Sequence, residues 1–221
     1  MKWLYLCLFL VPFAGAVEEE ATYAVSPLPL TGQVVSQKWV VDTWSYVNEG
    51  GSMWWFCGQA AVSTAFNCLR GEYVSRSTGA SQLEFFHVKL KLKQNGYSTS
   101  EHKEADIDAL SAVINIYKGT EFESIKRTTT TRNTAKQMMY DALSANHYIV
   151  ALSQISIGGT NYGHYMVVYK IHRDPNAATG GTVYYADPYT GAFGNKSFAA
   201  FLDGMRDTPT VSRYSFLEIS R

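Results

Sequence analysis

The stretch WWFCGQAA, residues 54–61, is the most informative part of the sequence for the fold, because an aromatic segment is followed there directly by the start of a helix. Apolar residues then recur at helical spacing: Ala61, Ala65, Phe66 and Leu69. Gly71 ends that pattern. A cysteine in the first helical turn lies at the positive end of the helix dipole, which favours the thiolate. The stretch therefore predicts a helix that starts near Cys57, with this cysteine as a candidate nucleophile. The alternative is that Cys57 is a small buried hydrophobic residue.

Composition excludes some classes of partner. The chain has 221 residues, of which 46% are hydrophobic, and 19 basic residues balance 19 acidic ones. This content is enough for one buried core, whereas the balanced charge gives no electrostatic case for nucleic acid. We expect one domain over residues 35–221, preceded by an extended lead-in over 17–34.

The N-terminus has the pattern of a secretory signal. Lys2 supplies a positive charge, residues 3–13 are apolar, and 14–16 (AGA) form an A-x-A cleavage site. The apolar run is shorter than the about 20 residues that span a bilayer. We therefore expect residues 1–16 to be a signal peptide and the product to be secreted or periplasmic, without membrane insertion. A buried first helix is the alternative.

Cleavage after residue 16 would leave two cysteines, Cys57 and Cys68. In an oxidising compartment two cysteines first suggest a disulfide. If one helix carries both, however, they lie about 16 Å apart along its axis. Because a disulfide needs Cα atoms within about 7 Å, we expect both thiols to be free.

The rest of the chain predicts helices first and an antiparallel sheet second, which makes an α+β domain. Further helices are expected over 81–94, 104–116 and 134–145, and a short one from about 197 to 205. Strands are expected over 148–155, 165–171, 182–186 and 211–219. The threonine run 128–131 is interpreted as a loop or the edge of a strand.

Two polar residues flank neighbouring predicted strands. His164 opens the strand 165–171, and Asp187 follows the strand 182–186. Folding the two strands together with Ile171 opposite Thr182 brings His164 and Asp187 side by side at one end of the sheet. A carboxylate beside an imidazole orients the ring and stabilises its charged form. We predict that Cys57, His164 and Asp187 form a triad; the alternative is a core histidine and a turn aspartate.

Four motifs carry a resemblance to a known family. CGQAA at 57–61 resembles the Cys-Gly-Pro-Ala-Ser turn of papain-like cysteine peptidases, and GHYMVV at 163–168 resembles the Gly-His-Tyr-Val-Val-Val strand of the branch that processes double-glycine bacteriocin leaders. YADPYTG at 185–191 resembles that branch's Asp-Pro-x-x-Gly turn, and SFAAF at 197–201 the helix after it.

The resemblance covers roughly residues 35–220 and implies a papain-like fold, in which a helical half and a sheet half meet at the active site. It implies a peptide or protein substrate and neither metal nor cofactor. The remaining histidines lack metal-ligand spacing.

The chain departs from this family at the glutamine that stabilises the oxyanion. That residue usually lies some six positions before the cysteine, where this chain has Gly51. Gln37 is the best substitute and Asn48 the next, because either amide can donate to a developing oxyanion. Gln59 stands where the family usually has proline, and we expect it at the surface.

Two other functions fit the same residues. A Cys-His-Asp order also serves acyl transferases of the transglutaminase or phytochelatin-synthase kind, which use amine or thiol acceptors. A non-catalytic peptide-binding module on the same fold is the other alternative. An intact triad argues against it, and the missing upstream glutamine argues for it.

Overall fold

The computed structural model describes residues 19–39, 56–94, 107–117, 121–205 and 213–221. The predicted signal peptide and Asn48 lie outside these residues. Within them the protein is a mixed α+β structure, with five helices and a seven-stranded antiparallel sheet. None of the helices in these ranges is long and apolar enough to cross a membrane.

The helices follow the predicted pattern closely. They are α1 (Cys57–Arg70), α2 (Arg76–Gln94), α3 (Ile107–Tyr117), α4 (Arg132–Ser144) and α5 (Phe198–Gly204). Helix α1 ends as predicted, with Gly71 in a left-handed conformation at φ 71°. Helix α2 starts five residues before the predicted position, after Ser75, whose hydroxyl accepts a hydrogen bond from the Thr78 amide at 3.2 Å.

The strands are β1 (Ala21–Ala24), β2 (Glu123–Thr129), β3 (Tyr148–Ile157), β4 (Thr160–Arg173), β5 (Gly181–Asp187), β6 (Ala192–Ser197) and β7 (Tyr214–Ser220). Their order in the sheet is β2-β7-β3-β4-β5-β6, and β1 pairs with β4. The predicted separation of helices from strands is therefore wrong in part, because β1 precedes all five described helices and β2 lies between α3 and α4.

Strand β1 lies inside the segment that we expected to be only a lead-in. It pairs with the far end of β4, from Ala21 opposite Arg173 to Ala24 opposite Lys170. Val25 and Val34, which follow it, belong to the hydrophobic core. The segment before residue 35 therefore contributes to the sheet and to its packing.

The pairing of β4 with β5 sets the position of the site. Near the site, Val167 lies opposite Ala186, which is the predicted register. Beyond a bulge between Val168 and Lys170, Ile171 lies opposite Val183, so the predicted Ile171–Thr182 pair is wrong by one residue. The bulge contains Tyr169, whose carbonyl accepts a hydrogen bond from the Val25 amide at 3.0 Å. It therefore marks the point where β4 exchanges one neighbour, β3, for another, β1.

Helix α1 packs against the sheet, chiefly on β4. Its residues from Cys57 to Cys68 are all buried, and Phe66 stacks on Phe122 with 3.9 Å between ring centroids. Helix α5 lies directly on β3, where the Ser153 hydroxyl donates to the Phe201 carbonyl at 3.0 Å. A Cβ at Gly204 would lie 2.7 Å from the Gln154 amide nitrogen, so this close approach depends on glycine.

Candidate active site

Cys57 is the first residue of α1, and its side chain contacts the sheet at His164. It is 9% exposed. Phe56 precedes it at the helix N-cap and supplies no side-chain hydrogen bond to the helix end. The backbone N–H groups of the first turn therefore keep their positive potential next to the sulfur.

His164 lies near the start of β4, opposite Ser153 of β3. Its Nε2 is 2.6 Å from Oδ1 of Asp187, and the His164 side chain is 4% exposed. Burial lowers the pKa of His164, but hydrogen bonds to Asp187 and to Cys57 raise it, and the net result is a pKa of about 9. The ring thus links the Cys57 thiol to the Asp187 carboxylate, as the sequence predicts.

Asp187 ends β5, and the turn that follows holds its carboxylate. The Tyr189 amide donates to Oδ1 at 2.8 Å, and the Thr190 hydroxyl donates to Oδ2 at 3.2 Å. Gly191, at φ 68°, closes the turn by donating its N–H to the Asp187 carbonyl at 2.8 Å. Burial raises the pKa of Asp187, but the bonds from His164, Tyr189 and Thr190 lower it below its ordinary value. The charged carboxylate is thereby kept facing the imidazole.

Gln37 lies beside this turn. Its backbone N–H donates to the Pro188 carbonyl at 2.9 Å, and the residue is 1% exposed. The segment that leads to it runs antiparallel to α1, because the Gln33 carbonyl accepts from Asn67 at 3.4 Å and the Val35 amide donates to Thr64 at 2.9 Å. Two residues along this segment, from Gln33 to Val35, thus correspond to about one turn along α1 in the direction of Cys57. Gln37, two residues further on, is expected about one turn closer to Cys57.

The Gln37 side chain has a buried oxygen, Oε1, without a hydrogen-bond partner among the described residues. Such an acceptor costs about 1–3 kcal/mol. The group that could serve an oxyanion is the side-chain Nε2, which donates hydrogen bonds, whereas Oε1 only accepts them. The other predicted donor, Asn48, lies outside the part of the chain that the structure describes.

Sequence reasoning missed several neighbours of the triad. Tyr189 sets its ring edge-on to His164, with 6.5 Å between centroids and an angle of 88°. Lys38 places its ammonium 4.1 Å from the centre of the Tyr189 ring. Thr190 had a usable signal, because hydroxyl residues shortly after an aspartate commonly bond to it in turns. The expectation for Gln59 is wrong: it is 4% exposed, because the face of α1 that carries it is covered.

The structure also shows whether the two cysteines of α1 form a disulfide. Cys57 and Cys68 are both free and both buried, as their spacing on one helix predicts. Within the described ranges, no group of three or more His, Cys, Asp or Glu residues could hold a metal ion. What the arrangement can do is nucleophilic chemistry with a paired base. No family model matches this chain, and no curated protein matches it.

Proposed function

We propose that the chain is an exported cysteine peptidase with a papain-like fold, which cleaves peptide or isopeptide bonds through an acyl-enzyme on Cys57. One observation carries the proposal: a buried line of hydrogen bonds runs from Asp187 through His164 to a cysteine at a helix N-terminus. These three side chains come from three separate elements, and a purely structural role would not require them to meet.

The reaction would begin with proton transfer from Cys57 to His164. The raised pKa of His164, about 9, supports a protonated imidazole near neutral pH. The Cys57 sulfur would attack the substrate carbonyl, and the imidazolium would give its proton to the leaving amine. Water, deprotonated by the same ring, would then attack the acyl carbon and release the product acid. Asp187 would hold the ring and stabilise its charge throughout.

The tetrahedral intermediate needs hydrogen-bond donors for its oxyanion. The Gln37 amide is the candidate side chain, and the backbone N–H of Cys57 at the helix N-terminus is a second donor. Support for Gln37 comes from its position between the Asp187 turn and α1, and from its burial there.

Two further features support the details of the proposal. A helix that begins with the nucleophile and packs on an antiparallel sheet is the arrangement that the family resemblance implies. The signal-like pattern at residues 1–16 supports a secreted or periplasmic location.

The test is incubation of the chain, without residues 1–16, with a mixture of peptides, followed by mass spectrometry. We expect new peptide termini from the wild type, none from Cys57→Ala, and near wild-type cleavage from Cys68→Ala. An added amine acceptor would form adducts if the chain is an acyl transferase. Retention of peptides by the wild type without any change in their mass would replace the peptidase with the binding module.

A further inference from the structure

A cleft of about 670 Å³ lies beside Asp187 and is separate from Cys57. We call it the Lys196 cleft. It is bordered by Gln154, Tyr185, Asp187, Thr190, Lys196 and Asp203. Its volume lies in the range of small-molecule and side-chain binding pockets, about 300–1,000 Å³. Asp187 is therefore shared between the triad and a space large enough for part of a substrate.

Among the described residues that border this cleft, Lys196 is the only cation. It reaches from β6 to β3, where its ammonium donates to the Gln154 carbonyl at 2.6 Å, and it also lies 5.7 Å from the Tyr185 ring centre. An ammonium has three donors, so two remain for another acceptor. Among the described residues, no carboxylate lies within 4.0 Å of Lys196.

The two carboxylates of the cleft already have partners. Asp187 is bonded to His164, and Asp203 lies 2.7 Å from Arg132. Burial lowers the pKa of Lys196, whereas the charge of Asp187 raises it. Within the described structure, the strong contact of this half-buried cation is a neutral carbonyl. Such a cation gains most from an anion, because the anion supplies the opposite charge.

The chemistry indicates which part of a substrate would reach this cleft. In the proposed reaction the imidazole of His164 passes its proton to the leaving amine, so the leaving part lies on the histidine side of the sulfur. The cleft is bordered by Asp187 and by Tyr189, which lie beyond that imidazole. Lys38, over the Tyr189 ring at 4.1 Å, adds a second positive charge near this path.

We propose that Lys196 is a specificity-determining residue that binds a carboxylate on the leaving-group part of a peptide substrate. The carboxylate is either the C-terminus of the peptide or an Asp or Glu side chain. This inference rests on the proposed function, because that function defines the leaving group.

The test uses Cys57→Ala protein, which cannot turn peptides over, and synthetic peptides in matched forms. Each peptide is made with Glu or Gln at a given position and with a free or amidated C-terminus. We expect a preference of about tenfold for one carboxylate form, which matches one charge-assisted hydrogen bond. Adding Lys196→Gln should reduce the preference to near one, and Lys196→Arg should keep it.

Lys170→Gln is the matched control. Lys170 lies on β4, which β5 separates from β6, with its ammonium 4.2 Å from the Tyr184 ring centre, and it does not border the cleft. This variant should keep the full preference. A preference for free C-termini identifies the terminal carboxylate, and a preference for Glu over Gln identifies a side chain.

Three outcomes would overturn the inference: no preference, a preference that survives in Lys196→Gln, or no retention of any peptide. Hydrolysis of the same peptides by the wild type tests the proposed function separately. Hydrolysis without a carboxylate preference removes only the Lys196 assignment. A Lys196-dependent preference without hydrolysis keeps the carboxylate site and removes the peptidase.

Discussion

The two cysteines of α1 share one helix but have very different surroundings. Cys57 begins the helix and hydrogen-bonds to an imidazole that is itself held by Asp187. Cys68 lies in the last turns, where burial raises its pKa to about 12 and a hydrogen bond to Tyr148 lowers it only in part. The polar partner of Cys68 is therefore a phenol and not an imidazole.

The comparison shows that burial alone does not decide the chemistry of a thiol, because Cys57 is 9% exposed and Cys68 is 6% exposed. The hydrogen-bond partner of the thiol decides whether the thiol can lose its proton near neutral pH. An imidazole can accept the thiol proton near neutral pH, whereas a phenol cannot. Substitutions at Cys57, at Cys68 and at their partners test this difference.

The largest effect is expected at Asp187. Asp187→Asn should keep the fold but lower kcat by roughly 10⁴-fold, because the ring loses the carboxylate that orients it and stabilises its charge. Alkylation of Cys57 should also slow towards the rate of Cys68. Steady-state kinetics and timed alkylation measure the two quantities.

Asp174→Asn is the control for this prediction. Asp174 lies in the β4–β5 turn and accepts hydrogen bonds from the amides of Asn176 and Ala177 at 2.9 and 3.1 Å. An asparagine keeps that acceptor, so activity should hardly change. If Asp174→Asn were the damaging variant and Asp187→Asn the silent one, the triad would be wrongly assigned.

The pH dependence of the free energy of unfolding should come from His164 and Asp187, the two residues that join Cys57 in the predicted triad. The folded pKa of His164, about 9, lies above its unfolded value of about 6.5. Its contribution, on the order of 3 kcal/mol, is thus fully present below about pH 6.5 and is lost between there and pH 9. Asp187, with its lowered pKa, contributes above about pH 4, and this contribution is lost on acidification.

Urea unfolding across this pH range measures the effect. The difference between wild type and His164→Gln should shrink as the pH rises from 6.5 to 9, and Cys68→Ala should keep the wild-type slope. A difference that grows over this range would show that His164 is not stabilised as an imidazolium.

A substitution at Gln37 should change the catalytic rate without changing the reactivity of the Cys57 thiol. Gln37→Ala should lower kcat by about a hundredfold with little change in KM, because an oxyanion donor acts mainly in the transition state. Alkylation of Cys57 should stay at the wild-type rate. Asn48→Ala should affect kcat much less.

Gln33→Ala is a matched control on the same segment. Gln33 is also buried, but its Oε1 accepts the Leu30 amide at 2.7 Å. Its loss should cost about 1 kcal/mol of stability without lowering kcat. If Gln37→Ala behaves in the same way, the backbone N–H groups bind the oxyanion without it.

Much of the fold could be predicted because its signals are local. Helical spacing and Gly71 defined α1, and β-branched and aromatic runs defined β3, β4, β5 and β7. Strand β6 was missed because Gly194 and Asn195 weaken its strand pattern. Strand β1 was missed because four residues carry little signal, and because its partner in the described sheet, β4, is distant in sequence.

The site could be predicted in part for the same reason. His164 and Asp187 come together through one strand pair, and the register near them was right because the bulge at Tyr169 lies on the other side of Val168. Gln37 reaches the Asp187 turn through a backbone bond to Pro188, which no local pattern encodes. Lys196 donates to the Gln154 carbonyl although two strands lie between β6 and β3, and no local pattern encodes this contact either.

The most direct test of the central claim is brief alkylation of the folded protein with iodoacetamide near neutral pH, followed by peptide mapping. Cys57 should be labelled much faster than Cys68, because only Cys57 has an imidazole to hold its proton. Equal labelling of the two residues, or a disulfide between them, would contradict the assignment of Cys57 as the nucleophile.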